Sequence, residues 1–295
     1  PAAGRLLPLL TALAMLLCTP PLASGAQGAR IGETRYGTTR EIAPETDLVV
    51  EVLQAGDARQ AVQYIHYRPG GAVRPAVVYG NRLYGRSTAA KLSGLQNESG
   101  HHAMAVLNGD FFSSTTGLPL GIVITEGILR SSGQGQNAVG FFEDGSAVIG
   151  LPTLDMALCS PAGDLPDITV HHLNKLRTAA GGVYLLTGDF SEQTRNSRPG
   201  KDVILRVLEG APRIGPEASV QLQVEDIIET DISMAIPEGT MVLTADADSA
   251  FSHLLEPLSV GDLLELTIRP QDDRWSRVTE AVGAGDLLVE EGRPA

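Results

Sequence analysis

The 295-residue sequence predicts an α+β fold, a sheet-rich core interrupted by a smaller β-rich inserted domain. Three observations carry that reading. Glycine is abundant, with 33 residues, and 18 prolines add breaks, which favours turns and short strands over a helical bundle. Apolar residues come in short runs, many alternating with polar ones as half-buried strands require. After residue 155 the texture shifts to evenly spaced strand candidates separated by polar, Gly- and Pro-rich loops. The order expected is a leader over 1–26, the first part of the core over 27–155, the insert over 156–275 and re-entry into the core over 276–295.

The chain opens with Arg5, an apolar run Leu6–Leu17, a Pro20-Pro21 break and the small residues Ala23-Ser24-Gly25-Ala26. A basic start, a short apolar stretch and small residues at the cut mark a secretory signal peptide. Residues 27–45 read as an extended lead-in. Asp47–Leu53 and Ala61–Tyr67 are strands around a turn at Ala55-Gly56-Asp57, and Arg74–Tyr79 is a third short strand. Ser87 caps a helix to about Gln96, with Ala89, Leu92 and Leu95 on one face. Ala103–Leu107 is a buried strand running into Asn108. Leu120–Thr125 and Ile128–Ser131 form a hairpin around Glu126-Gly127, and Ala138–Phe142 and Ala147–Ile149 another around Asp144-Gly145. In the insert the strand candidates are Ile168–His172, Gly182–Leu186, Val203–Leu208, Val220–Val224, Thr240–Thr244 and Leu263–Ile268, with a short helix at Ser249–Leu255 and a core of its own. Val278–Val289 returns to the Gly-rich pattern of the first part.

Composition excludes several functions. Lys and Arg number 22 against 35 Asp and Glu, a formal net charge of −13. Loss of the leader removes Arg5 and no acid, so the exported chain carries one negative charge more. Such a surface lacks the basic footprint that nucleic acid needs. A hydrophobic fraction of 43% with 19% charged residues excludes wholesale disorder. Of the two cysteines, Cys18 leaves with the leader, so Cys159 has no internal partner. An exported chain without disulfides fits a bacterial envelope or exterior. No second apolar stretch reaches membrane-spanning length, so the mature chain is expected to have no membrane span.

Asn108-Gly109-Asp110-Phe111-Phe112 is the segment richest in chemistry. A strand delivers Asn108 and Asp110 to its end, where sites often lie, and Gly109 relieves the backbone of a Cβ. The alternative is an Asn-Gly hairpin turn beside an aromatic core. The pairs His101-His102 and His171-His172 lack metal-ligand spacing, and neighbours in a strand face opposite ways. Gly133-Gln134-Gly135 lacks the strand-to-helix setting of a phosphate loop.

Taken in order, Asn108–Phe112, Leu118-Pro119-Leu120-Gly121-Ile122-Val123-Ile124 and Glu126-Gly127 resemble the phosphodiester glycosidase family, the N-acetylglucosamine-1-phosphodiester alpha-N-acetylglucosaminidases and their exported bacterial members. Tyr36–Ile42 resembles the lead-in of bacterial members. Ile236–Leu243 and Val260-Gly261-Asp262 resemble an insert many carry, and Ala281–Val289 with Gly292 the segment that re-enters the core. The resemblance implies a secreted or cell-envelope hydrolase that cleaves an N-acetylglucosamine-like sugar from a phosphodiester in surface or extracellular glycans. Phosphate is a good leaving group, so such a reaction leans less on acid assistance and more on stabilising an oxocarbenium-like centre. It implies Asn108 and Asp110 as catalytic residues and Gly109, Phe111, Phe112 and Gly121 as substrate-binding residues. Asp110, where many members have Gly, is left open among acid/base, electrostatic stabiliser and cation ligand. The resemblance makes no cofactor certain and leaves room for a divalent cation. The partner implied is the glycan or sugar-phosphodiester, with no nucleic acid. The family's later Asp-Gly-Arg and Asn-x-Asp-Gly-Gly-Gly-Ser segments do not occur before Ala295, so the expectation is a C-terminally truncated fragment with little or no activity. The competing reading is a non-catalytic envelope or carbohydrate-binding module with the same fold.

Overall fold

The computed structural model describes residues 32–215, 218–290 and 293–294. The expected signal peptide and Cys18 therefore lie outside the described residues. The fold is a sheet-rich α+β fold, as the sequence predicts. Its first element is a meander of β1 (Glu33–Ala43), β2 (Thr46–Ala55) and β3 (Ala58–Tyr67). The expected lead-in is thus itself a strand, because β2 offers its alternating residues a ladder to join. Two compact units divide the chain. The smaller takes the described residues up to Thr38, Val50–Val62 and the chain from Leu288, including the short pair β17 (Val289–Glu290) and β18 (Arg293–Pro294).

The larger unit, Thr39–Val49 with Gln63–Leu287, holds the rest. Arg74–Tyr79 forms no strand. That segment is docked by a side chain instead, the Val77 N–H donating to Glu280 Oε2 at 2.8 Å. The helix α1 (Ala89–Glu98) is capped by Thr88, one residue later than expected, whose side chain accepts from the Lys91 N–H. Leu92 and Leu95 are half-buried and Ala89 is exposed. Ala103–Leu107 is neither a strand nor buried. This apolar run has no ladder to join among the described residues, and Leu107 stays 77% exposed.

A five-stranded antiparallel sheet follows, built from β4 (Val123–Thr125), β5 (Ile128–Ser131), β6 (Ala138–Phe141) and β7 (Ala147–Gly150) in the order β5-β4-β16-β6-β7. Its central strand is β16 (Glu280–Gly283), which pairs with both β4 and β6. Both hairpin turns fall where the sequence puts them.

The larger sheet has eight strands in the order β10-β11-β14-β12-β13-β15-β8-β9. They are β8 (Leu154–Cys159), β9 (Ile168–Thr169), β10 (His172–Leu173), β11 (Tyr184–Thr187), β12 (Gly200–Gly210), β13 (Ser219–Thr230), β14 (Thr240–Asp246) and β15 (Leu263–Pro270). The expected strand Ile168–His172 is split. Its halves stand at the two ends of the sheet, β9 on β8 and β10 parallel to β11, so the sheet curls round to bring its ends together. β15 shows the period of two cleanly: Leu264, Leu266 and Ile268 are buried and Leu263 is exposed. The insert's expected separate core is not seen. Leu205 and Leu266 of the large sheet join Ile124 and Ala281 of the small one in a single cluster around Trp275. No helix among the described residues is long and apolar enough to cross a membrane.

Candidate functional site

Asp110 is placed by a short two-stranded ribbon. Leu120 N–H donates to the Phe111 carbonyl at 2.9 Å and Ser113 N–H to the Leu118 carbonyl at 2.9 Å, closing a turn in which Gly117 has φ 78°. One residue further along, Asp110 stands opposite Gly121, whose N–H donates to Oδ2 at 2.5 Å. The other oxygen, Oδ1, is buried and has no hydrogen-bond partner. Burial pushes the Asp110 carboxyl up. The N–H groups of Gly121 and Phe111, then the charge of Lys175 and the Leu120 N–H, pull against that shift.

Glycine is required here by proximity. A Cβ on Gly109 would sit 2.6 Å from Val282 Cγ2, and one on Gly283 would sit 2.7 Å from Asp110 Cγ and both its oxygens. Neither Asn108 nor Gly109 has a positive φ, so this Asn-Gly pair is not a hairpin turn of the type that dipeptide favours. The segment is instead a strand-like edge pressed onto β16.

Of the predicted site residues, Asp110, Gly109 and Gly121 are brought together on this small patch. Gly121 is buried and its N–H is committed to Asp110. Asn108 is exposed, and the rings of Phe111 and Phe112 are 69% and 55% exposed. His171 and His172 lie against different rings, Phe251 at 4.3 Å and Tyr184 at 4.7 Å, and burial pushes both imidazoles down. Among the described residues, no three His, Cys, Asp or Glu side chains converge as metal ligands. The open concavities at Gly32–Arg35 with Gln54–Gly56 and at Glu209–Arg213 with Ala218–Gln221 are lined by none of the predicted residues.

Sequence reasoning missed the cation beneath the patch. Lys175 is buried, and its Nζ donates to the carbonyls of Pro119 at 2.6 Å, Leu120 at 3.1 Å and Gly121 at 3.1 Å. Burial pushes it down to about 8, against the charge of Asp110. Its partners lie more than fifty residues away along the chain, and no local pattern announces them. A second polar cluster was also missed. Arg130 and Tyr79 both reach Asp189 at 2.9 Å, Arg195 stacks on the Tyr84 ring at 4.7 Å, and Glu280 staples Val77 to the Glu126 N–H at 2.9 Å.

No family model and no curated protein matches the chain. A solved structure described as a hypothetical protein from Synechocystis superposes with a TM-score of 0.70 at 17% identity, over 88% of this chain and 46% of that one. The chain spans less than half the length of that structure, and the likeness shows a shared fold.

Proposed function

We propose that the chain carries a phosphodiester glycosidase site, an exported hydrolase activity that releases an N-acetylglucosamine-like sugar from a phosphodiester of surface or extracellular glycans. The carboxylate of Asp110 carries this reading. One oxygen is clamped by a peptide N–H and the other is buried without a hydrogen-bond partner, under a patch that Asn108 and two exposed phenylalanines adjoin. An anion held so is suited to stabilise positive charge growing on a sugar ring or to orient a water. Asn108 supplies an amide for sugar or phosphate oxygens, and the Phe111 and Phe112 rings offer faces to the apolar side of a sugar. The ordered resemblance from Tyr36 to Gly292 supports the same reading.

A carbohydrate-binding module without catalysis is favoured by one observation, the exposure of those two rings beside Leu107. The discriminating experiment takes the protein with its reading frame extended past Ala295, incubates it with a nucleotide-sugar or a methyl N-acetylglucosamine-1-phosphodiester and measures free sugar. Release that falls at least about ten-fold in Asp110→Asn and Asn108→Ala supports the enzyme and its site. Sugar binding without release supports the module, and release that both variants leave unchanged removes the site assignment.

A further inference from the structure

We propose that Lys175 is a positioning residue for the Asp110 carboxylate and acts on it through one peptide plane, that between Leu120 and Gly121. This rests on the reading of Asp110 as a working carboxylate, and adds a cation that favours its charged form. The carbonyl of that peptide accepts from Lys175 Nζ at 3.1 Å, and the N–H of the same peptide donates to Asp110 Oδ2 at 2.5 Å. A cation at the oxygen and an anion at the N–H polarise the amide in the same sense, so each strengthens the hold on the other. The remaining ammonium protons go to the flanking carbonyls of Pro119 and Gly121, which fixes the loop in register. A direct ion pair would occupy the carboxylate. The interposed peptide leaves Oδ1 free of protein donors.

The placement is built with care on the lysine's side. Asn174 adopts φ 55° and is pinned there by its side chain, which donates to the Arg130 carbonyl at 2.7 Å and the Thr187 hydroxyl at 2.9 Å and accepts from the Thr187 N–H at 2.7 Å. The next residue, Lys175, is thereby aimed at the 119–121 loop. The charged and titratable groups that face it are Asp110, from the segment before the ribbon, and His172, on the strand β10 that precedes it, whose imidazole the ammonium helps to push down. The loop and β16 face this pair with peptide groups.

The test is a carbon-13 NMR titration of the Asp110 carboxyl in the full chain, with its resonance assigned by its loss in Asp110→Asn. In Lys175→Met, folded by circular dichroism, Asp110 is expected to titrate about one unit higher than in the parent. In Lys175→Arg, which keeps a cation, the shift should be much smaller. The parent curve should also show a second inflection near pH 8 that Lys175→Arg removes. An Asp110 that titrates alike in the parent and Lys175→Met overturns the proposal. If Lys175→Met does not fold, the second inflection decides: its absence in the parent, or its survival in Lys175→Arg, overturns the proposal equally. Sugar release is measured separately, so a failure of hydrolysis alone counts against the glycosidase reading and leaves the coupling of Lys175 to Asp110 standing or falling on the titration.

Discussion

Asp110 is crowded by backbone. A methyl group at Gly283 would overlap all three atoms of its carboxyl group at 2.7 Å, and that carboxyl is already held by the Gly121 N–H. Gly283→Ala should therefore expel Asp110 from its seat. The expected outcome is a loss of at least about ten-fold in sugar release with a stability cost of about 1–3 kcal/mol, checked by the release assay and urea unfolding. Lys175 makes a prediction about pH. Its folded pKa of about 8 lies below the 10.5 of the unfolded chain. The unfolded state therefore binds more protons between those values, so the penalty for burying the charge is present in full below pH 8 and is relieved as pH rises toward 10.5. The stability of the parent relative to Lys175→Met should climb by about 3 kcal/mol across that window, read from urea midpoints at stepped pH. The sequence showed Asn108–Phe112 to be unusual because a polar pair beside paired rings is a local pattern. It showed nothing of Lys175, whose significance comes from carbonyls of a distant loop.

At the scale of elements, the hairpins were legible because their turns are chemically marked. Glu126 and Gly127 adopt φ 53° and 71°, and Gly145 adopts φ 81°, conformations that suit the short loops between β4 and β5 and between β6 and β7. The strands that went unread or misread, β1, β8 and the false strands at 74–79 and 103–107, are those whose state depends on a partner. A buried polar network ties the large sheet together. Asp202 on β12 lies 3.4 Å from the Arg177 guanidinium, accepts from Thr244 on β14 at 2.5 Å and takes both Nδ2 contacts of Asn196. Burial pushes this carboxyl up, opposed by Thr244, Arg177 and Asn196. Asp202→Ala leaves the arginine buried and unpaired and should cost about 3–5 kcal/mol. Arg177→Met combined with Asp202→Leu should cost clearly less than the sum of the single changes, as a double-mutant cycle in urea would read.

For the larger unit as a whole, the decisive packing is around Trp275, the chain's one tryptophan. Its side chain is buried, and a Cβ on Gly140 of β6 would lie 2.9 Å from the indole, so the ring rests directly on the small sheet while sharing a cluster with Leu205 and Leu266 of the large one. Two sheets that share a core should unfold together. Trp275 emission and far-UV circular dichroism are expected to give coincident urea transitions, and separated midpoints would show independent sheets. By itself the sequence determined the sheet-rich class, the positions of most strands and both marked hairpin turns. Those features rest on alternation and turn chemistry, which are written in neighbouring residues. Only the tertiary structure decided that β16 sits between β4 and β6, that the large sheet curls until its end strands β9 and β10 come together, and that Lys175 lies beneath Asp110. Each of these is a contact between residues far apart in the chain, set by which surfaces bury one another and which charges find partners there, and no local period encodes it.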